Sequence, residues 1–301
     1  MKPLFIQPAL ALLFAFLGLP NTAFASSDLT TLIERQGTMP YPKSLTYCTA
    51  NSGVKVVDTS ETLTPKFIKR MKSFGVEVVA RYYGYDTQSR PPNGENVPRW
   101  EDQKVITKEE VELLEEAGLG SIAVFQYESD LESVFRDWKR RGPADARRSL
   151  SLAKKLGQPR RSTIYFAVDG DFVNSFTKRS CKQRGRRRGN CAAEITSYFD
   201  EVSRQVREDG YRVGVYGSGA TCKLLTERGS VDMCWLNFSN GHSGRKWGLQ
   251  SEHVVLRQLR EAKGKTAKAR CGRNLDANKI RKSDFGQFRY APPPSPQASV
   301  Y

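Results

Sequence analysis

Three observations predict an α/β fold for this chain. Short apolar runs alternate with amphipathic helical stretches, glycines close the helices, and polar residues gather where the apolar runs end. Strands alternating with helices indicate a parallel sheet. Roughly eight such runs over this length predict a TIM-like (β/α) barrel, with a doubly wound open sheet as the alternative. The first five runs are each followed by a helix and the last three by shorter connections, so the last helices are expected to be reduced.

The elements follow in order. Lys2, the apolar run Ala9 to Leu19 and the small residues Ala23-Phe24-Ala25 read as a secretory signal cleaved after Ala25. Residues 26–52, with Pro40 and Pro42, read as an irregular lead-in. Val54 to Asp58 is the first strand. Thr64 as N-cap and Pro65 at the first helical position open a helix that ends at Gly75. Val76 to Tyr83 is the second strand. Thr107 and Glu110 form a capping box for the helix Lys108 to Ala117, stopped by Gly118. Ser121 to Tyr127 is the third strand, followed by a short helix Glu132 to Lys139 and a longer one Pro143 to Leu156.

The fourth strand lies in Ser162-Thr163-Ile164-Tyr165-Phe166-Ala167-Val168-Asp169-Gly170-Asp171. Side chains alternate along a strand, so Ile164, Phe166 and Val168 share one face and Tyr165, Ala167, Asp169 and Asp171 the other. A helix follows from Ala192 to Glu208. Arg212 to Ser218 is the fifth strand, and a helix runs from about Ala220 to Glu227. Met233 to Phe238, Val254 to Leu259 and Asn274 to Asn278 complete the set. Residues 53–280 form the barrel domain, and residues 281–301, with their Pro-rich end, are expected to be disordered.

Composition narrows the chemistry. Six cysteines, Cys48, Cys181, Cys191, Cys222, Cys234 and Cys271, follow the signal, and in an exported protein they read as disulfides. Barrel closure would make the first and last strands neighbours entered from the same end, which predicts Cys48–Cys271. Proximity predicts Cys222–Cys234, and a Cys181–Cys191 bond would hold the loop between them. With no Cys-x-x-Cys pair and only His242 and His253, a zinc site or a His-dependent triad is rejected, and no metal or cofactor is expected. No Gly-x-Gly-x-x-Gly or Walker sequence supports nucleotide binding. The formal charge of +16 favours acidic partners. It concentrates between Lys178 and Cys191, where Arg184, Arg186, Arg187 and Arg188 stand among seven cations in 14 residues. That insertion is expected to recruit an anionic cell-wall or lipid surface, with nucleic acid a less favoured partner; the alternatives are a solvated basic hairpin and a processing site for a trypsin-like protease.

Polar residues at strand ends mark a site. Asp58, Arg81, Tyr83, Gln126, Asp169, Asp171, Tyr216, Trp235, Gln258 and Asp276 all lie at or near a strand end and would rim one mouth of a barrel. Carboxylates flanked by aromatics suit glycosidic cleavage. One carboxylic acid protonates the leaving oxygen, a second carboxylate supports attack, and aromatic faces stack on sugar rings. Each residue also has a structural reading, with Trp235 and Tyr216 as core and Asp58 as a loop cap.

The pieces Arg81-Tyr82-Tyr83, Ile164 to Asp169, Tyr211 to Ser218 and the Gly-ended helix Ala144 to Gly157 resemble the DUF1906 family over residues 53–280. These are glycoside-hydrolase-like barrels of exported bacterial proteins, themselves similar to the GH25 lysozymes. The resemblance implies Asp171 as general acid, Asp169 as its partner carboxylate, and Asp58 and Asp276 as the other two acidic positions. Arg81, Tyr83, Gln126, Tyr216, Trp235 and Gln258 are the expected substrate contacts. The sequence departs from the lysozyme pattern by having Asp where the acid is Glu, which withdraws the donor by about 1.5 Å. A misplacement near 1 Å can cost ~100-fold in rate. The reading is a secreted or periplasmic, monomeric glycoside-hydrolase-like protein acting on cell-wall glycan. The alternatives are a non-catalytic glycan-binding module on the same barrel and a basic surface- or nucleic-acid-binding protein.

Overall fold

In the computed structural model, residues 53–92, 94, 96–127, 135–173, 191–238, 241–259 and 275–290 are described. The signal, the lead-in with Cys48, the basic insertion with Cys181, and Cys271 lie outside them. Eight strands close into a barrel in sequence order: β1 Val56–Asp58, β2 Val78–Tyr83, β3 Gly120–Phe125, β4 Thr163–Val168, β5 Arg212–Gly217, β6 Met233–Leu236, β7 Val254–Gln258 and β8 Asp276–Ile280. The helices are α1 Pro65–Ser73, α2 Arg99–Asp102, α3 Lys108–Glu116, α4 Trp138–Leu156, α5 Ala192–Glu208, α6 Gly219–Glu227 and α7 Arg245–Gln250. The TIM-like architecture expected from the sequence is the one observed, and α7 is a short element of six residues.

Local chemistry sets several boundaries. Thr64 Oγ1 accepts from the Phe67 amide at 3.2 Å with Pro65 at the first position of α1. Thr107 and Glu110 form the reciprocal capping box of α3 at 3.3 and 2.9 Å. The predicted helix Pro143 to Leu156 begins earlier, since α4 starts at Trp138 and runs through that proline. The predicted short helix Glu132 to Lys139 lies partly outside the described residues, with Phe135 and Arg136 helical and Asp137 a turn before α4. A proline inside a helix loses one backbone bond and clashes with the preceding turn. Burial outweighs that cost here, because Arg141, Gly142, Asp145 and Ala146 pack inward. A Cβ on Gly142 would lie 3.4 Å from the Tyr198 carbonyl on α5.

The alternation along β4 separates two apolar layers. Ile164, Phe166 and Val168 join the outer core under the helices, while Tyr165 and Ala167 join the barrel interior with Val56, Val78, Ile122 and Trp235. Each fully buried aliphatic or aromatic side chain contributes about 1.5–3 kcal/mol. Gly214 on β5 makes room for the interior Tyr165 ring, whose Cδ1 would stand 2.4 Å from an added Cβ.

Two expectations are corrected. β8 runs antiparallel to both β7 and β1, so the sheet is not wholly parallel. The chain therefore enters β8 from the mouth and β1 from the opposite end, which removes the reason given for Cys48–Cys271. Residues 281–290 are not a disordered tail. Phe285 is buried in the barrel interior, and Phe288 and Tyr290 in the outer core. Phe288 pairs with Ser121 in both directions, and the Tyr165 hydroxyl donates to the Phe285 carbonyl at 2.7 Å. Three aromatics in six residues supply enough apolar area to fix this segment. Cys222 and Cys234 form the expected disulfide, and Cys191 is also disulfide-bonded.

Candidate functional site

The inner face of each strand ends in a polar residue at the mouth. By the two-residue alternation these are Asp58, Tyr82, Gln126 and Asp169 on one half of the ring. Tyr216, Asn237 and Gln258 continue it, and Asp276 closes it from the start of antiparallel β8, paired in register with Asp58.

Gln258 ties one wall together. Its Nε2 donates to both Asp58 oxygens and to Asp276 Oδ2, each at 3.4 Å, while its Oε1 accepts from the Tyr216 hydroxyl at 2.8 Å. Asn278 donates to Asp58 Oδ2 at 2.7 Å and its Oδ1 accepts from the Trp235 indole at 2.8 Å. Asp58 is buried, whereas Asp276 is half-buried and can be reached from the mouth. The proximity of Asp58 and Asp276, after burial itself, helps hold the Tyr82 hydroxyl well above its ordinary range; burial and the nearby Asp169 and Asp58 carboxylates do the same for Tyr216.

The facing wall carries Asp169. Its side chain is open to solvent, yet the surrounding barrel strips enough water to raise its carboxyl above the usual range. Lys104, His242 and a hydrogen bond with Gln126 pull the other way. Lys104 donates to Gln126 Oε1 at 3.2 Å, sits 4.4 Å from the centre of the Tyr82 ring, and lies 3.9 Å from Glu101. Desolvation lowers the Lys104 ammonium, and Glu101 and Asp169 oppose that shift. The mouth thus sets a carboxyl raised by desolvation on the barrel wall opposite Asp58 and Asp276.

Asp171 stands apart from this set. It follows the end of β4, is buried, and accepts from both the amide and the hydroxyl of Ser243 at 3.0 Å. It therefore ties the loop after β4 to the loop after β6. That second loop meets α6 at a close approach, where a Cβ on Gly219 would lie 2.1 Å from the Gly244 carbonyl oxygen and Gly244 has φ +74°.

Three expected contacts do not face the mouth. Arg81 and Tyr83 are on the outer face of β2. Arg81 donates to the Thr59 carbonyl and to Glu110, each at 2.7 Å, and Tyr83 donates to Gln158 at 2.9 Å. Tyr82 between them takes the inward position, as the alternation from Val78 and Ala80 requires. Trp235 points inward but is buried beneath the mouth, edge-on to Tyr216 with ring centres 5.0 Å apart, so it presents no face to a ligand. Arg184, Arg186, Arg187 and Arg188 lie outside the described residues. Sequence reasoning missed Lys104, Asn278 and His242. Asn278 sits two residues from Asp276 on the same face and was detectable by parity, whereas Lys104 and His242 lie in loops without a local signal.

This is a closed barrel of the glycoside-hydrolase-like class, with carboxylates and aromatics at its mouth. A family model described as "Rv2525c-like, glycoside hydrolase-like domain" matches residues 69–280, and the chain belongs to that family. Two curated relatives come from Bacillus subtilis strain 168. "Uncharacterized protein YbfG" is 25% identical over 233 residues, covering 76% of this chain and 28% of its own length. "Uncharacterized protein FadG" is 23% identical over 188 residues, covering 62% and 28%. The chain therefore spans 28% of the length of these relatives. The crystal structure of the Mycobacterium tuberculosis Tat-secreted protein Rv2525c in complex with L-tartrate is similar in fold, with a TM-score of 0.55 at 20% identity, over 78% of this chain and 98% of that one.

Proposed function

We propose that the mouth binds a cell-wall glycan and cleaves its glycosidic bond, with Asp169 delivering the proton to the leaving oxygen. The observation that carries this reading is exposed Asp169 at the end of β4, its carboxyl raised by desolvation, across the barrel ring from Asp276 and Asp58 on the adjacent strands β8 and β1. An acid must hold its proton near working pH, and its partner must be charged. Asp276, reachable and held by Gln258, is the carboxylate that supports attack or the oxocarbenium charge. Asp58 orients Gln258 and Asn278, and Tyr82 and Tyr216 contact the sugar. Asp171, assigned as the acid by the resemblance, becomes in this reading a positioning residue through Ser243. Purified protein incubated with peptidoglycan should release soluble fragments with new reducing ends. Binding without release would make the domain a glycan-binding module, and neither binding nor release would end the glycan reading.

The signal-like start, the disulfides and the export of Rv2525c together support a secreted or periplasmic location. The basic insertion joins the described body at Val173 and Cys191, in the connection leaving β4 on the mouth side. Its proposed partner is an anionic cell-wall or lipid surface, which arginine forks suit. Replacing Arg186, Arg187 and Arg188 by Gln should weaken retention on anionic vesicles or cell walls most at low salt, with Tm nearly unchanged. Equal retention at low salt would leave the charge a solubility feature.

A further inference from the structure

Two side-chain amides border Asp58, and each is turned by a group that can only donate. Trp235 is buried beneath the mouth, and its one polar atom is the indole N–H, which has no acceptor capacity. The atom of Asn278 that it meets at 2.8 Å is therefore the carbonyl oxygen Oδ1. That leaves the Asn278 amide nitrogen to face Asp58, where it donates to Oδ2 at 2.7 Å. Gln258 is oriented by the same rule. The Phe238 backbone N–H donates to its Oε1 at 3.2 Å, so its Nε2 is the atom lying 3.4 Å from both Asp58 oxygens. Those two contacts are long for hydrogen bonds, which makes Asn278 the principal side-chain donor of the pair. Trp235, Asn278 and Asp58 are all buried.

We infer that Trp235 is a positioning residue whose indole N–H, acting through the Asn278 amide, holds Asp58 as a hydrogen-bond-accepting carboxylate. Without that donor the Asn278 amide is free to turn over, since its oxygen and its nitrogen occupy nearly the same shape. A carbonyl turned toward Asp58 has no proton to give, so the contact then forms only if Asp58 takes up a proton itself. Other groups around Asp58 bear on the same proton. Asp276 is paired with it in register, the Tyr82 and Tyr216 hydroxyls lie near both, and Asp169 and Lys104 stand on the facing wall. On the outer side Arg81 donates to the carbonyl of the next residue, Thr59. A like charge at Asp276 favours proton uptake by Asp58, and the locked amide opposes it. The proposal rests on the glycan reading of the mouth and adds what keeps one of its carboxylates charged.

The experiment is carbon-13 NMR of the aspartate side-chain carboxyls across pH in wild type, Trp235→Phe, Asn278→Ala and the double variant, with signals assigned from Asp58→Asn, Asp169→Asn and Asp276→Asn. In Trp235→Phe the Asp58 carboxyl should protonate about one pH unit higher than in wild type, a roughly tenfold gain in proton affinity. In the Asn278→Ala background the same exchange should move Asp58 no further, because the indole acts through that amide. An unmoved Asp58 in Trp235→Phe, or a shift that persists without Asn278, overturns the proposal. A second readout needs no change at Trp235. Its indole N–H resonance should follow the Asp58 titration in wild type and lose that response in Asn278→Ala, and an indifferent resonance overturns the proposal even where Trp235→Phe does not fold. Neither readout uses a glycan. If both behave as expected while peptidoglycan is neither bound nor cleaved, the lock stands and the glycan reading falls. If fragments are released while Asp58 ignores Trp235, the glycan reading stands and the lock falls.

Discussion

Replacing Arg81 by methionine is expected to cost about 3–5 kcal/mol of stability, the usual penalty for stranding one partner of a buried ion pair. Arg81 and Glu110 are both almost wholly shielded from solvent and are 2.7 Å apart. Glu110 also accepts from the Leu63 amide at 2.6 Å and caps the Thr107 amide at 2.9 Å. Without the guanidinium its charge is left inside the helix layer, and the Thr59 carbonyl loses its donor. For a domain of this size each kcal/mol moves Tm by about 2–4 °C, so a drop on the order of 10 °C follows. Adding Glu110→Gln should restore part of it, because the neutral amide removes the stranded charge while its single oxygen keeps one of the two backbone donors, Leu63 at Oε1 or Thr107 at Oε2. A Tm within about 2 °C of wild type for Arg81→Met would show that the pair carries no such weight. A large loss of Tm also separates Arg81 from the substrate contacts expected of it by sequence.

The second large effect is expected at Asp169. Asp169→Asn should lower turnover by about 100- to 10,000-fold, the range for removing a positioned general acid. Its stability should move the other way. Desolvation raises this carboxyl in the folded protein above its value in the unfolded chain, more than Lys104, His242 and Gln126 lower it. The folded state therefore holds the proton to higher pH. The stability this supplies is complete below the unfolded-chain value and is lost as pH rises through the folded value. Asparagine mimics the neutral form throughout, so the variant should match wild type in acid and become the more stable of the two as pH rises toward neutral. A Tm series across pH checks the sign, and fragment release from peptidoglycan checks the rate. Full turnover in Asp169→Asn would remove it as the donor, and a Tm gap that widens toward acid would contradict the desolvated carboxyl.

Much of the barrel was legible in the sequence because its signals are local. The capping box at Thr107 and Glu110, the Thr64–Pro65 start of α1 and the alternation through Ile164, Phe166 and Val168 depend on neighbours a few residues away. Six mouth positions, Asp58, Gln126, Asp169, Tyr216, Gln258 and Asp276, followed from strand ends alone. Arg81 and Tyr83 failed by one residue, since a shift of one position along a strand reverses the face. Trp235 failed because parity places a side chain inside the barrel without saying how deep it lies. Tertiary structure alone decided the direction of β8, the burial of Phe285, Phe288 and Tyr290, and the arrival of Lys104 and His242 beside Asp169. Those outcomes depend on closure of the sheet and on loops crossing its mouth, where contacts join residues tens to hundreds of positions apart. Residue order carries the pleat and the caps; the desolvation that raises the Asp169 carboxyl exists only once the barrel has closed around it.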